Sequence, residues 1–92
     1  MNHQARGDFT VLNEKGLHTR PSTELVRCAA HFTAEISLSY RDYVVNAKSI
    51  LGILMLAAEH GAKISVEAIG LDATQAVDAI LHLAHDKFNI QY

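Results

Sequence analysis

The 92 residues suffice for one domain with one core and are too few for two. Hydrophobic residues make up 49% and charged residues 20%, and the formal net charge of −2 leaves no basic face of the kind nucleic-acid binders present. No apolar run approaches the roughly 20 residues of a bilayer span; the longest, residues 50–58, contains Gly52.

The opening stretch, residues 1–8, is polar and lacks the apolar centre of a signal peptide, so the expected compartment is the cytoplasm. A single Cys28 fits that reducing setting. Residues 1–6, His3 included, read as a mobile tail of a single domain over 1–92. The first strand is expected over residues 9–12, an apolar stretch bounded by Gly7 and by Asn13-Glu14-Lys15-Gly16. Residues 19–30 then carry Leu25, Val26, Ala29 and Ala30 at helical spacing, with Glu24 and Arg27 outward. Pro21 suits that helix's first turn, where its missing N–H costs nothing. Cys28 falls among the apolar residues and reads as core rather than as a reactive thiol.

Residues 34–40 alternate, with Ala34, Ile36, Leu38 and Tyr40 opposite Glu35, Ser37 and Ser39, which predicts a half-buried strand. Arg41-Asp42 turns the chain into Tyr43-Val44-Val45, giving a hairpin. Residues 49–58 predict a short apolar helix ended near Gly61. Residues 63–69 alternate again until Gly70. Asp72 and Gln75 have the spacing of a capping box, and Ala73, Ala76, Val77, Ile80, Leu81 and Ala84 form the stripe of a final helix. The order βαββαβα predicts an α+β domain, an open-faced β-sandwich in which three helices pack on one face of a four-stranded antiparallel sheet.

Gly16-Leu17-His18-Thr19-Arg20-Pro21 places a histidine between a flexible glycine and a helix start. The first amides of a helix have no intrahelical acceptor, and with the helix dipole they form an anion site. A neutral imidazole leaves one ring nitrogen free to attack phosphorus. Thr19 and Arg20 belong to the phosphate-holding helix start, and Arg20 adds a forked, permanently charged donor. A helix terminus and an exposed ion pair together contribute about 1–2 kcal/mol, enough to steady a phosphoryl group without trapping it. A hydrolase needs a base, a water and oxyanion donors in a closed pocket, and no such set is visible. On spacing alone, a histidine beside a helix start is ordinarily a surface or capping residue.

The second segment is Val45-Asn46-Ala47-Lys48-Ser49-Ile50-Leu51-Gly52, with Ser49 as N-cap. Ile50, Leu51, Ile53, Leu54, Met55 and Leu56 are too many for one buried stripe, so some belong to the core and others to a docking surface. His82 and His85, with Asp78 or Asp86, have the spacing of a metal pair but lack a specified third ligand, and read as solvated helix surface. His31 and His60 sit near helix ends, where imidazole suits the dipole.

With both segments in view, the chain resembles the histidine-containing phosphocarrier family HPr of the bacterial phosphoenolpyruvate-dependent sugar phosphotransferase system. The resemblance runs from about Phe9 to the last helix. It rests on Gly16-Leu17-His18-Thr19-Arg20-Pro21 and Asn46-Ala47-Lys48-Ser49-Ile50 at the family's mutual spacing. It implies that His18 accepts a phosphoryl group on Nδ1 from enzyme I and passes it to IIA domains, with Arg20 stabilising the phosphate. It implies that Ser49 is a regulatory site for an HPr kinase/phosphorylase. Thr23, Arg27, Ile50, Leu51, Leu54 and Met55 match the docking surface. The family's members are carriers rather than enzymes and use no cofactor or metal; a monomer is expected. Thr19 and Ser22 stand where the family usually has alanine, so either hydroxyl could serve the phosphate. Arg41-Asp42 replaces the usual glycine-containing turn. The run over residues 52–58 resembles members from incomplete or nitrogen-related branches, where the protein is a regulatory signal rather than a sugar-transport relay.

Overall fold

The computed structural model describes residues 3–90. The elements follow in the order β1 (Gln4–Thr10), α1 (Thr19–Ala29), β2 (Glu35–Tyr40), β3 (Tyr43–Asn46), α2 (Ile50–Met55), β4 (Lys63–Ile69) and α3 (Ala73–His85). A 3-10 turn over Lys87–Asn89 closes the described chain. The four strands form one sheet in the order β1-β4-β2-β3, and every neighbouring pair is antiparallel. Register places Phe9 beside Ile64, Leu38 beside Val66 and Val45 beside Leu38.

This register puts Phe9, Ile36, Leu38, Ile64, Val66 and Ala68 on the face that the helices cover, where all six are buried. Leu25 and Ala29 of α1, Ile53 of α2 and Ala76, Ile80 and Ala84 of α3 close over them. Glu35, Ser37, Ser65 and Glu67 stay at least partly exposed on the opposite face. The α+β open-faced sandwich expected from the element order is the observed fold.

The amino-terminal expectation is corrected. The first strand begins at Gln4, not Phe9, so residues 4–6 are paired backbone rather than tail. The His3 carbonyl accepts from the Gly70 amide at 2.8 Å. Met1 and Asn2 of the expected tail lie outside the described residues. The strand escapes a hydropathy reading because its inward residues ahead of Phe9 are Ala5 and Gly7. Gly7 is small for a reason: a Cβ there would sit 2.7 Å from Leu81 Cδ1 and 3.1 Å from Val77 Cγ1, so those α3 side chains would have to shift.

The hairpin forms at Arg41-Asp42 as expected, with Tyr40 paired to Tyr43. Arg41 takes the left-handed conformation (φ 56°) that glycine usually supplies, and its guanidinium stacks 5.1 Å from the centre of the Tyr40 ring. The second helix ends at Met55, earlier than expected, because Ala57 turns left-handed (φ 50°) and reverses the chain. The capping box at Asp72 does not form. The Asp72 carboxylate makes no hydrogen bond to its own helix and instead accepts from the Thr33 and Ala34 amides, both at 2.9 Å. These amides, Thr33's first, hold the carboxyl below the usual carboxylate range. Cys28 is half-buried, and burial pushes its thiol up, which matches an inert core cysteine. After α3, Lys87, Phe88 and Asn89 all have positive φ, a reversal that folds Phe88 into the core edge-on to Phe9 (5.9 Å between ring centres).

Candidate functional site

His18 is the N-cap of α1, with extended backbone (φ −75°, ψ −170°) and an exposed ring that makes no hydrogen bond to the helix it opens. Its carbonyl accepts the first helical bond, from the Ser22 amide at 3.0 Å. Pro21, buried in the first turn, has no N–H, so the amides that this turn can direct toward an anion are those of Thr19 and Arg20. Both residues are exposed, and Thr19 shares a recess with the imidazole. The helix mouth therefore brings an exposed ring and two amides to one place, while Arg20 lines a separate recess with Thr23, Glu24, Asn89 and Ile90.

The loop ahead of His18 is held from outside its own segment. The Leu17 amide donates to the Ala58 carbonyl at 2.9 Å, and Gly16, in a left-handed conformation (φ 71°), lies so close to residues 58–59 that a Cβ would reach within 2.9 Å of the Glu59 Cα. Asn13, buried, donates through Nδ2 to the Lys87 carbonyl at 3.0 Å, tying the same loop to the C-terminal turn. Leu17 itself is buried. His18 is thus exposed in its side chain and anchored in its backbone. A recess of about 380 Å³ opens beside it, with Thr19, Lys15, Leu54, Ala57 and Glu59 among its walls.

The hydroxyls of the neighbouring residues divide. Ser22 is fully buried and donates to the Leu17 carbonyl at 3.1 Å, so it braces the helix start and cannot serve a phosphate; that expectation is corrected. Thr23 donates back to the Thr19 carbonyl at 2.8 Å. Thr19 alone keeps an exposed side chain at the mouth. Arg27 lies roughly two and a half turns further along α1, in an exposed pair with Glu24 (3.3 Å), and is not gathered around the ring.

The apolar residues after Ser49 separate as a helix with one buried stripe must. Ile53 and Leu56 enter the core, whereas Ile50 (39% exposed), Leu51 (67%), Leu54 (36%) and Met55 (66%) face out. Leu54 reaches the rim of the His18 recess, which makes the patch continuous with the His18 ring. Ser49 caps α2, its Oγ accepting from the Gly52 amide at 3.0 Å. It is not among the walls of the His18 recess.

Lys15 and Glu59 belong to the site and were not identified from the sequence. Lys15 adjoins the Gly16–Pro21 motif, a signal that was available. Glu59 gave none, because its place depends on the reversal at a non-glycine residue, Ala57. Among the described residues no group of three or more His, Cys, Asp or Glu could hold a metal ion, and His82 and His85 instead flank Asp86 at 3.6 and 3.7 Å. No helix of the described residues is long and apolar enough to cross a membrane.

Comparison with known proteins agrees with this geometry. Residues 5–86 match the family model for the PTS HPr component phosphorylation site. The phosphocarrier protein HPr of Cupriavidus necator is 40% identical over 81 residues, covering 88% of this chain and 91% of that protein. The crystal structure of HPr-C-His from Thermoanaerobacter tengcongensis superposes with a TM-score of 0.90 at 32% identity, covering 96% of this chain and 99% of that one. An HPr dimer from the same organism gives a TM-score of 0.75 at 37% identity, covering 83% and 87%. An anion-ready helix mouth bearing an exposed histidine, on this sheet order and with these relatives, places the chain in the HPr family of phosphotransferase-system phosphocarrier proteins, which carry a phosphoryl group and are not enzymes.

Proposed function

We propose that His18 is the phosphoryl acceptor, that phospho-enzyme I is the donor and that IIA domains of the sugar phosphotransferase system receive the group. The observation that carries this reading is the exposed His18 ring at the uncapped start of α1, with the α2 patch adjoining through Leu54. In each transfer the unprotonated Nδ1 lone pair forms an N–P bond as the donor's bond to phosphorus breaks. The reverse exchange delivers the group onward. The Thr19 and Arg20 amides and the Arg20 guanidinium meet the new dianion. Partners dock on Ile50, Leu51, Leu54 and Met55, with Thr23 and Arg27 along the α1 side. The protein works in the cytoplasm as a monomer.

Ser49 is the proposed regulatory site. Its hydroxyl is only partly buried, and a phosphate there still meets the amides of the helix start it caps, so the fold tolerates the ester. The added charge of about −1.5 to −2 falls beside Ile50 and Leu51, where it repels an acidic partner surface. A purely regulatory role, in a branch without sugar transport, draws on that same adjacency.

Incubation with phosphoenolpyruvate and enzyme I, and separately with ATP and an HPr kinase, tests both sites. The relay requires an acid-labile, base-stable label that His18→Ala removes. Absence of that label with a competent enzyme I defeats it. An acid-stable label removed by Ser49→Ala establishes the regulatory site. Transfer of the His18 label to a IIA domain separates relay from regulation, and light scattering of the purified protein decides between monomer and dimer.

A further inference from the structure

We propose that Glu59 sets the phosphoryl-transfer potential of His18, by holding a carboxylate over the recess into which the phosphorylated ring faces. This rests on the reading of His18 as the phosphoryl acceptor. Three observations carry it. Glu59 and His18 are walls of the same recess. The backbone of residues 58–59 is fixed against the reactive loop, through the Leu17 amide on the Ala58 carbonyl (2.9 Å) and through the contact at Gly16. Ala57, left-handed at φ 50° with its amide on the Leu54 carbonyl (3.1 Å), supplies the reversal that aims the segment back at the helix mouth.

The charges around the ring then divide by sign. Lys15, on the same recess, and the positive end of α1 favour the dianion, and Glu59 opposes it. Once the ring is phosphorylated, a carboxylate and a phosphate share a partly solvated recess. Like charges so placed raise the energy of the phosphorylated state alone, so the group leaves more readily. The step itself is unchanged: the N–P bond to His18 breaks as the bond to the acceptor forms, with no water and no further reactant consumed.

The test measures the phosphorylated fraction of full-length protein at fixed ratios of phosphoenolpyruvate to pyruvate, with enzyme I in catalytic amounts. A catalyst cannot move the equilibrium, so docking differences drop out of the result. Glu59→Gln is expected to shift the equilibrium about 2- to 5-fold toward the phosphorylated form, the range of an exposed charge pair, and Glu59→Lys further in the same direction. The shift should shrink between about 0.02 M and about 0.5 M salt, as the Debye length falls below the width of the recess. Glu35→Gln removes the same charge from the sheet face opposite the helices and should leave the equilibrium unmoved. Equal equilibrium constants for Glu59→Gln and the unaltered protein at low salt, or an equal shift in Glu35→Gln, overturn the inference. No label on the unaltered protein instead defeats the assignment of His18, so the two failures are distinguishable.

Discussion

At the start of α1, His18 makes no side-chain hydrogen bond to its own helix, whereas at the start of α2 Ser49 closes its first turn on the Gly52 amide. The difference follows from what else holds each helix. The first has eleven residues, buries Leu25 and Ala29 fully, and is braced by the Ser22 hydroxyl and by the Leu17 amide on Ala58. It can therefore form without a side-chain cap. The second has six residues and one fully buried side chain, Ile53, and a helix so short is marginal without a cap. The proposed transferable chemistry thus sits on a start stabilised from outside. The proposed regulatory chemistry sits on one stabilised from within.

The largest expected effect comes from removing the outside support. Gly16→Ala forces a Cβ against the Ala58 carbonyl at a left-handed backbone position, and should destabilise the protein by about 2–4 kcal/mol. Urea unfolding gives the value, and His18 labelling should slow with it. An unchanged midpoint would show that the loop is not anchored there.

A paired measurement sharpens the contrast itself. Ser49→Ala should cost about 0.5–2 kcal/mol, the usual value of a lost N-cap. His18→Asn should instead gain about 0.5 kcal/mol while abolishing the label, because asparagine is among the preferred N-cap residues and histidine is not. The gain stays at the low end, since Pro21 offers no second N–H. Shifts of the same sign in the two variants would erase the distinction between the starts.

The smallest effect concerns the third helix, whose N-cap carboxylate serves another element. The carboxyl of Asp72 is lowered by the Thr33 and Ala34 amides, so its contribution is present above the usual carboxylate range and is lost as pH falls through the folded-state value. Asp72→Asn keeps one acceptor oxygen in place of two. The variant's melting temperature should fall below that of the unaltered protein near pH 7, with the gap closing as pH drops from about 5 to about 2. A gap independent of pH would mean that the carboxylate's charge contributes nothing.

Much of this was legible before any coordinates. The fourth strand is observed at its expected bounds, Lys63–Ile69, because strict alternation ended by Gly70 admits one register. His18 was placed at a helix mouth because Pro21 is tolerated only near a helix start. The first strand was not legible ahead of Phe9, because Ala5 and Gly7 face a helix contributed by residues 73–85 and hydropathy does not mark a surface made inward by smallness. The split of the α2 residues was open as well. A short, wholly apolar run cannot state which stripe meets the core until α1 and the sheet are in place.

His18 and Ser49 show where that boundary falls. Their identities as a nucleophile beside a helix start and as an N-cap are local properties, decided within a few residues by glycine, proline and hydroxyl chemistry, and the sequence determined them. The tertiary structure decided what surrounds them. Leu54 and Glu59 reach the His18 recess through the reversal at Ala57, Ser22 is turned inward to brace the loop, and Asp72 leaves its own helix for the amides of Thr33 and Ala34. The Leu54, Glu59 and Asp72 placements follow from contacts between segments distant in the chain, and burial and geometry, rather than the preference of any single residue, select all of them.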